Sequence, residues 1–167
     1  MKHQRFWAVF FLVAALLTMA VIFYFSAQKG VESQALSDGF TLRVAKLVRP
    51  DYTQMPVQAQ QSFLELLSTL VRKCAHFLEF ALLGFNLMGC LRLWDLSVNP
   101  RACQLRAWLI GTAYAVTDEL HQLFINERSA QALDVLIDSA GTLAGILAMT
   151  LLLALAGRWL ERRKPRV

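Results

Sequence analysis

Ala115-Val-Thr-Asp-Glu-Leu-His-Gln-Leu-Phe124 places Asp118, Glu119 and His121 inside an apolar run that extends from Ala107 to Ile125. A helix of that length crosses a hydrocarbon core of about 30 Å at a rise of about 1.5 Å per residue. An ionisable side chain near the middle of a bilayer costs about 2.5 to 3.5 kcal/mol on insertion scales. Three within one turn of helix therefore require a compensating structure. Two other apolar segments carry groups of the same kind. One holds Arg72, Lys73, His76 and Glu79, and the other holds Asp134 and Asp138.

Working outward, hydrophobic residues make up 56% of the 167-residue chain, which is too apolar for an ordinary soluble domain. Four segments, about 6–25, 74–94, 107–125 and 133–156, are long enough to span. Backbone groups in lipid must be satisfied within the segment, so each is expected to be an α-helix. The first begins with Lys2 and Arg5, as a signal peptide does. Its apolar stretch exceeds the usual h-region of about 7 to 15 residues, and no small-x-small cleavage site follows. An uncleaved first helix is expected. With no internal repeat and no low-complexity tract, residues 1–167 read as a single domain: an all-α, polytopic membrane helical bundle with four transmembrane helices.

Charge orients the bundle. The N-terminus, the link between the second and third helices, and the tail together hold ten of the 17 basic residues and two of the 12 acidic ones. The positive-inside rule makes that side, and both termini, cytoplasmic. The net charge of +5 is then a topology anchor that also attracts anionic lipid, and no nucleic-acid partner is expected. Cys74, Cys90 and Cys103 are scattered, with neither a disulfide framework nor zinc-site spacing. In the outer loop, Leu36, Phe40, Val44, Leu47 and Val48 recur at helical spacing until Pro50. They predict an amphipathic helix, lying on the membrane surface or capping the bundle. A further helical pattern from Val57 leads directly into the second membrane helix, with Pro56 at its start.

This topology puts the polar groups of three helices in one layer near the outer surface. Spacing assigns their faces. Arg72, His76 and Glu79 share one, Asp118, His121 and Gln122 a second, and Asp134, Asp138, Gly141 and Gly145 a third. Glycines on that third face permit close helix approach, so its acids point at a neighbouring helix. Arg128, in the outer turn, is placed to bridge Asp134 or an anionic ligand. Arg72, Lys73 and Arg128 offer three positive charges against five carboxylates at Glu79, Asp118, Glu119, Asp134 and Asp138. A buried unpaired carboxylate takes up a proton or meets a cation.

The cluster has three readings: an ion-pair network that holds the bundle together, an acid–base or metal-assisted active site, and a binding or conduction site for an anionic head group. Asp118, His121 and Asp134 offer oxygen and nitrogen ligands to a divalent metal. The chain contains neither His-Glu-x-x-His nor Gly-x-Ser-x-Gly, so no established catalytic motif identifies an enzyme. Four helices without an inverted repeat are few for an autonomous transporter, although an oligomer relaxes that objection.

Three stretches carry a family resemblance: Arg72-Lys-Cys-Ala-His76-Phe-Leu-Glu79-Phe-Ala-Leu-Leu-Gly84, Ala115-Val-Thr-Asp118-Glu119-Leu-His121-Gln122-Leu-Phe, and Arg128-Ser-Ala-Gln-Ala-Leu-Asp134-Val-Leu-Ile-Asp138-Ser-Ala-Gly141. In that order, and with Phe25-Ser26-Ala-Gln28 before them, they resemble the VanZ-like family of bacterial integral membrane proteins. Phe80 replaces an expected tyrosine, Asn126-Glu127 an expected Pro-Gly, and Asp138 a frequent asparagine. The family's named member is associated with low-level resistance to teicoplanin, a glycopeptide with a fatty tail. The resemblance thus implies a multi-pass protein of the bacterial cytoplasmic membrane. Its expected partners are membrane lipids and a lipid-linked cell-wall precursor or lipoglycopeptide, met at the outer leaflet.

Overall fold

The structure, a computed structural model, describes residues 2–27, 30–125 and 131–162. Among them every regular element is helical: α1 (Lys2–Ser26), α2 (Gly30–Val48), a 3-10 turn (Tyr52–Gln54), α3 (Val57–Trp94), α4 (Pro100–Gln122) and α5 (Ala132–Arg162). The pattern expected from Val57 onward is continuous with the second apolar segment. Together they make one 38-residue helix, about 57 Å long at about 1.5 Å per residue. Local chemistry sets the α3–α4 turn. Asp95 Oδ1 accepts from the Ser97 hydroxyl and amide at 2.7 and 2.8 Å. Those bonds hold the exposed Asp95 carboxyl below the usual carboxylate range. Asn99 Oδ1 then accepts from the Arg101 amide at 2.9 Å, and Pro100 occupies the first turn.

This cap corrects the expected bounds of the third membrane helix. The helix starts at Pro100 rather than 107 and ends at Gln122 rather than 125. Arg101 and Arg106 had hidden its first turns from a reading by hydropathy. α5 likewise runs past 156, to Arg162. Among the described residues, three helices are long and apolar enough to cross a membrane: His3–Ser26, Val57–Trp94 and Ala132–Trp159. On composition α4 falls outside that group.

Hydrogen bonds between elements give the helix directions. Gln4 donates to the Leu93 carbonyl (2.9 Å), tying the start of α1 to the end of α3. Gln104 donates to Thr150 (3.1 Å), tying the start of α4 to the later half of α5. Ser26 reaches Asp118 (2.9 Å), joining the ends of α1 and α4. α1 and α4 therefore run one way, and α3 and α5 the other.

The packing is inside-out relative to a water-soluble protein. On α1, Ala8, Ala15, Thr18, Ile22 and Ser26 are buried, while Phe6, Trp7, Phe10, Leu16, Leu17 and Tyr24 are exposed. Small residues let helices approach closely where no aqueous hydrophobic effect drives them together. The core gathers Phe80, Leu83, Leu87 and Met88 of α3 with Ala107 and Ala115 of α4 and Ile146 and Met149 of α5. Phe80 is fully buried, and its ring meets Tyr114 at 6.1 Å between centroids.

The helix expected before Pro50 is present as α2. It lies against α3, with Thr41 and Ala45 buried, Val44 half-buried, and Phe40, Leu47 and Val48 facing outward.

α3 and α5 make the tightest helix pair. A Cβ at Gly145 would fall inside the backbone of Ala81 and Phe85, and one at Gly84 inside the backbone of Thr142. Gly145→Ala is therefore expected to lower stability by about 1 to 3 kcal/mol through overpacking. Gly157→Ala, where a Cβ meets nothing within 4 Å, should be neutral or slightly stabilising. Thermal melts of the two variants in detergent measure the contrast.

Candidate functional site

The site is built on the α3–α5 pair. His76 and Phe77 of α3 face Asp138 and Gly141 of α5, and Lys73, one turn earlier, faces Asp134. Because Gly141 and Gly145 bring the two backbones together, the side chains above them are forced into register. Lys73 Nζ and Asp134 form a salt bridge that is only partly shielded from solvent. His76 Nδ1 stands 4.0 Å from Asp138 Oδ2, beyond a direct hydrogen bond.

α4 supplies the third wall. Asp118, Glu119 and Gln122 are all buried. Asp118 Oδ2 accepts from Ser26 Oγ (2.9 Å) and from Gln122 Nε2 (3.0 Å). Its other oxygen, Oδ1, has no hydrogen-bond partner among the described residues, and the same holds for Asp138 Oδ1. Glu119 accepts from the backbone amide of Gln131 and so ties the end of α4 to the start of α5. Tyr114 donates to the Met19 carbonyl (2.6 Å), fixing α4 against α1 one turn further in.

Between these walls lies a cavity of about 190 Å³. Its lining includes Thr69, Arg72, Lys73 and His76 of α3, Glu119 and Gln122 of α4, and Gln131, Asp134 and Asp138. A second, larger cavity of about 510 Å³ separates α2 from α3 and shares Thr69 and Arg72 with the first.

Most of the residues singled out in the sequence converge here, but not all. Arg72 is exposed and stands at the rim. Glu79 is half-buried one turn beyond His76, outside the cavity lining but within electrostatic reach of Asp118 and Asp138. His121 leaves the group. Its ring lies against Phe23 of α1 at 4.5 Å between centroids, while Gln122 takes the inward position. Arg128 lies outside the described residues. Sequence reasoning passed over Ser26, Thr69 and Gln131 as site residues. Ser26 did carry a signal, as the first polar residue after the long apolar run of α1.

Among the described residues, no lysine or arginine forms an ion pair with Glu79, Asp118, Glu119 or Asp138. Backbone amide, hydroxyl and carboxamide donors serve Asp118 and Glu119 instead. The arrangement can present cationic groups at its rim and carboxylates at its floor. It can therefore receive an anionic head from above and a positive charge below.

No curated protein and no solved structure matches the chain. The protein-family model described as VanZ/LLP1 matches residues 11–153. That span runs from the third turn of α1 into the later half of α5 and takes in every described residue of the cavity, so the chain belongs to the VanZ/LLP1 family.

Proposed function

We propose that this protein is a four-pass protein of the bacterial cytoplasmic membrane whose polar cavity, open toward the outer leaflet, binds the anionic head group of an amphiphile. The observation that carries the reading is the union of Arg72 at the rim and the partly exposed Lys73–Asp134 ion pair with a small polar cavity, set in helices whose outer faces are apolar. A head group held there leaves its tail against Leu66, Leu70, Leu133 and Leu136, all exposed. The cavity, at about 190 Å³, is smaller than the roughly 300 to 1,000 Å³ of sites that enclose a drug-sized ligand. It suits a phosphate- or carboxylate-sized group and excludes a whole glycopeptide. A lipid-linked cell-wall precursor fits this chemistry. Teicoplanin, the antibiotic associated with the family's named member, fits it only through a terminal group or through competition for such a lipid.

Two features support α4 as the fourth crossing. Its 23 residues give about 35 Å of helix at about 1.5 Å per residue, and it runs antiparallel to both neighbours. Its Leu105, Leu109, Ile110, Val116 and Leu120 are exposed, as lipid-facing side chains are. The excess of basic residues at the termini and the α3–α4 turn favours a cytoplasmic position for both ends. In a Cys74→Ser background, Thr53→Cys should then react with an impermeant maleimide on intact cells, and Leu96→Cys only after lysis. The opposite pattern would place the cavity on the cytoplasmic side.

Head-group binding has its own test. The protein in nanodiscs should show saturable binding of a fluorescent undecaprenyl-type phosphate. Arg72→Gln and Lys73→Gln should each weaken it at least about tenfold, in line with the loss of about 1.5 to 3 kcal/mol for a charge-assisted hydrogen bond. Equal binding by wild type and the double variant, at equal folding, would reject the cavity as the site. A host expressing the same variants should lose any difference in teicoplanin susceptibility that the wild-type protein confers.

A further inference from the structure

Asp118 and Asp138 are 3% and 2% exposed, and they come from different helices. Neither has a lysine or arginine partner among the described residues, and each keeps a buried Oδ1 without a hydrogen-bond donor. Two acids brought together away from water cannot both ionise unless positive charge lies between them, so the pair either keeps a proton or meets a cation. His76 stands beside the pair. One donor atom from each of His76, Asp118 and Asp138 lies within 4.8 Å of the other two.

We propose that His76, Asp118 and Asp138 bind a divalent transition-metal cation, Mn²⁺ or Zn²⁺, with one coordination face open to the cavity. Ligand atoms around such an ion sit at about 2.0 to 2.2 Å from it, and hence about 3 to 3.5 Å from one another. Small side-chain rotations close the present spacing to that value. One imidazole nitrogen with two carboxylates suits Mn²⁺ or Zn²⁺ better than the all-oxygen preference of Mg²⁺ or Ca²⁺.

The surroundings agree with this assignment. Ser26 and Gln122 both donate to Asp118 Oδ2, which holds the carboxylate and leaves Oδ1 for a cation. Lys73 occupies Asp134, so the neighbouring acid is already neutralised. His76 and Asp138 also line the cavity, and three protein ligands leave room for an oxygen from water or from a head group. The inference rests on the cavity's proposed function only for that last ligand. Binding of the ion alone is independent of it.

The experiment uses the full chain in nanodiscs, stripped with a chelator and titrated with Mn²⁺ without added amphiphile. The expected result is one tightly bound Mn²⁺ per chain, with an electron-spin-echo modulation from a single imidazole nitrogen. That modulation should vanish in His76→Ala and persist in His121→Ala. Asp118→Asn and Asp138→Asn should bind Mn²⁺ at least about tenfold more weakly. Absence of stoichiometric Mn²⁺ in the wild type overturns the proposal, as does a nitrogen modulation that survives His76→Ala. The wild-type spectrum decides the matter even where a variant fails to fold. Metal binding without lipid binding would reject the head-group reading alone, and lipid binding without metal would reject this inference alone.

Discussion

The close approach of α3 and α5 is the constraint on which the rest of the structure depends. At Gly84, Gly141 and Gly145 the two backbones touch where side chains would ordinarily stand. Paired positions then advance together along the two helices: Lys73 with Asp134, His76 with Asp138, Phe77 with Gly141, Ala81 with Gly145. The glycine contact therefore does two tasks at different depths. It supplies the dispersion contacts that replace an aqueous hydrophobic effect in lipid, and it sets the spacing of the polar groups above it. α4 closes the third side through Thr112 with Ser139 (2.9 Å) and Gly111 against Thr142. Ser26, at the end of α1, reaches across to Asp118. Polar groups too costly for lipid are thus turned toward one another.

Much of this was legible in the chain. The face that joins Asp134, Asp138, Gly141 and Gly145 follows from helical spacing, and it is the face that packs on α3. The long helix from Val57 was visible because the soluble-looking and membrane-like patterns share one phase without a break. The start of α4 was not, since Arg101 and Arg106 interrupt hydropathy while the Asn99-Pro100 cap carries the true boundary. Spacing of three or four residues also could not divide His121 from Gln122. Both lie within about 60° of Asp118 around the helix, on opposite sides of it. Only the position of α1, with Phe23 against one flank and Ser26 against the other, decides which turns inward.

Asp138 shows how a single position can change a site's chemistry without changing its shape. Asparagine would occupy nearly the same volume. The carboxyl adds a second ionisable acid beside Asp118, at a depth where no basic side chain among the described residues meets it. An amide could neither release a proton there nor offer an anionic oxygen. In this chain the floor instead holds two acids that share a proton or meet a cation.

Thr69 and Arg72 line both the polar cavity and the larger space between α2 and α3. The two spaces are therefore adjoining rooms with a common wall, and the wall is one turn of a long helix. Arg72 faces both rooms, whereas Lys73 and Asp138 line the inner room alone. Mutational data on this face will separate into those two classes. An effect shared by Arg72 with Leu64 or Ser68 belongs to the outer helix, and one shared with Lys73 belongs to the polar cavity.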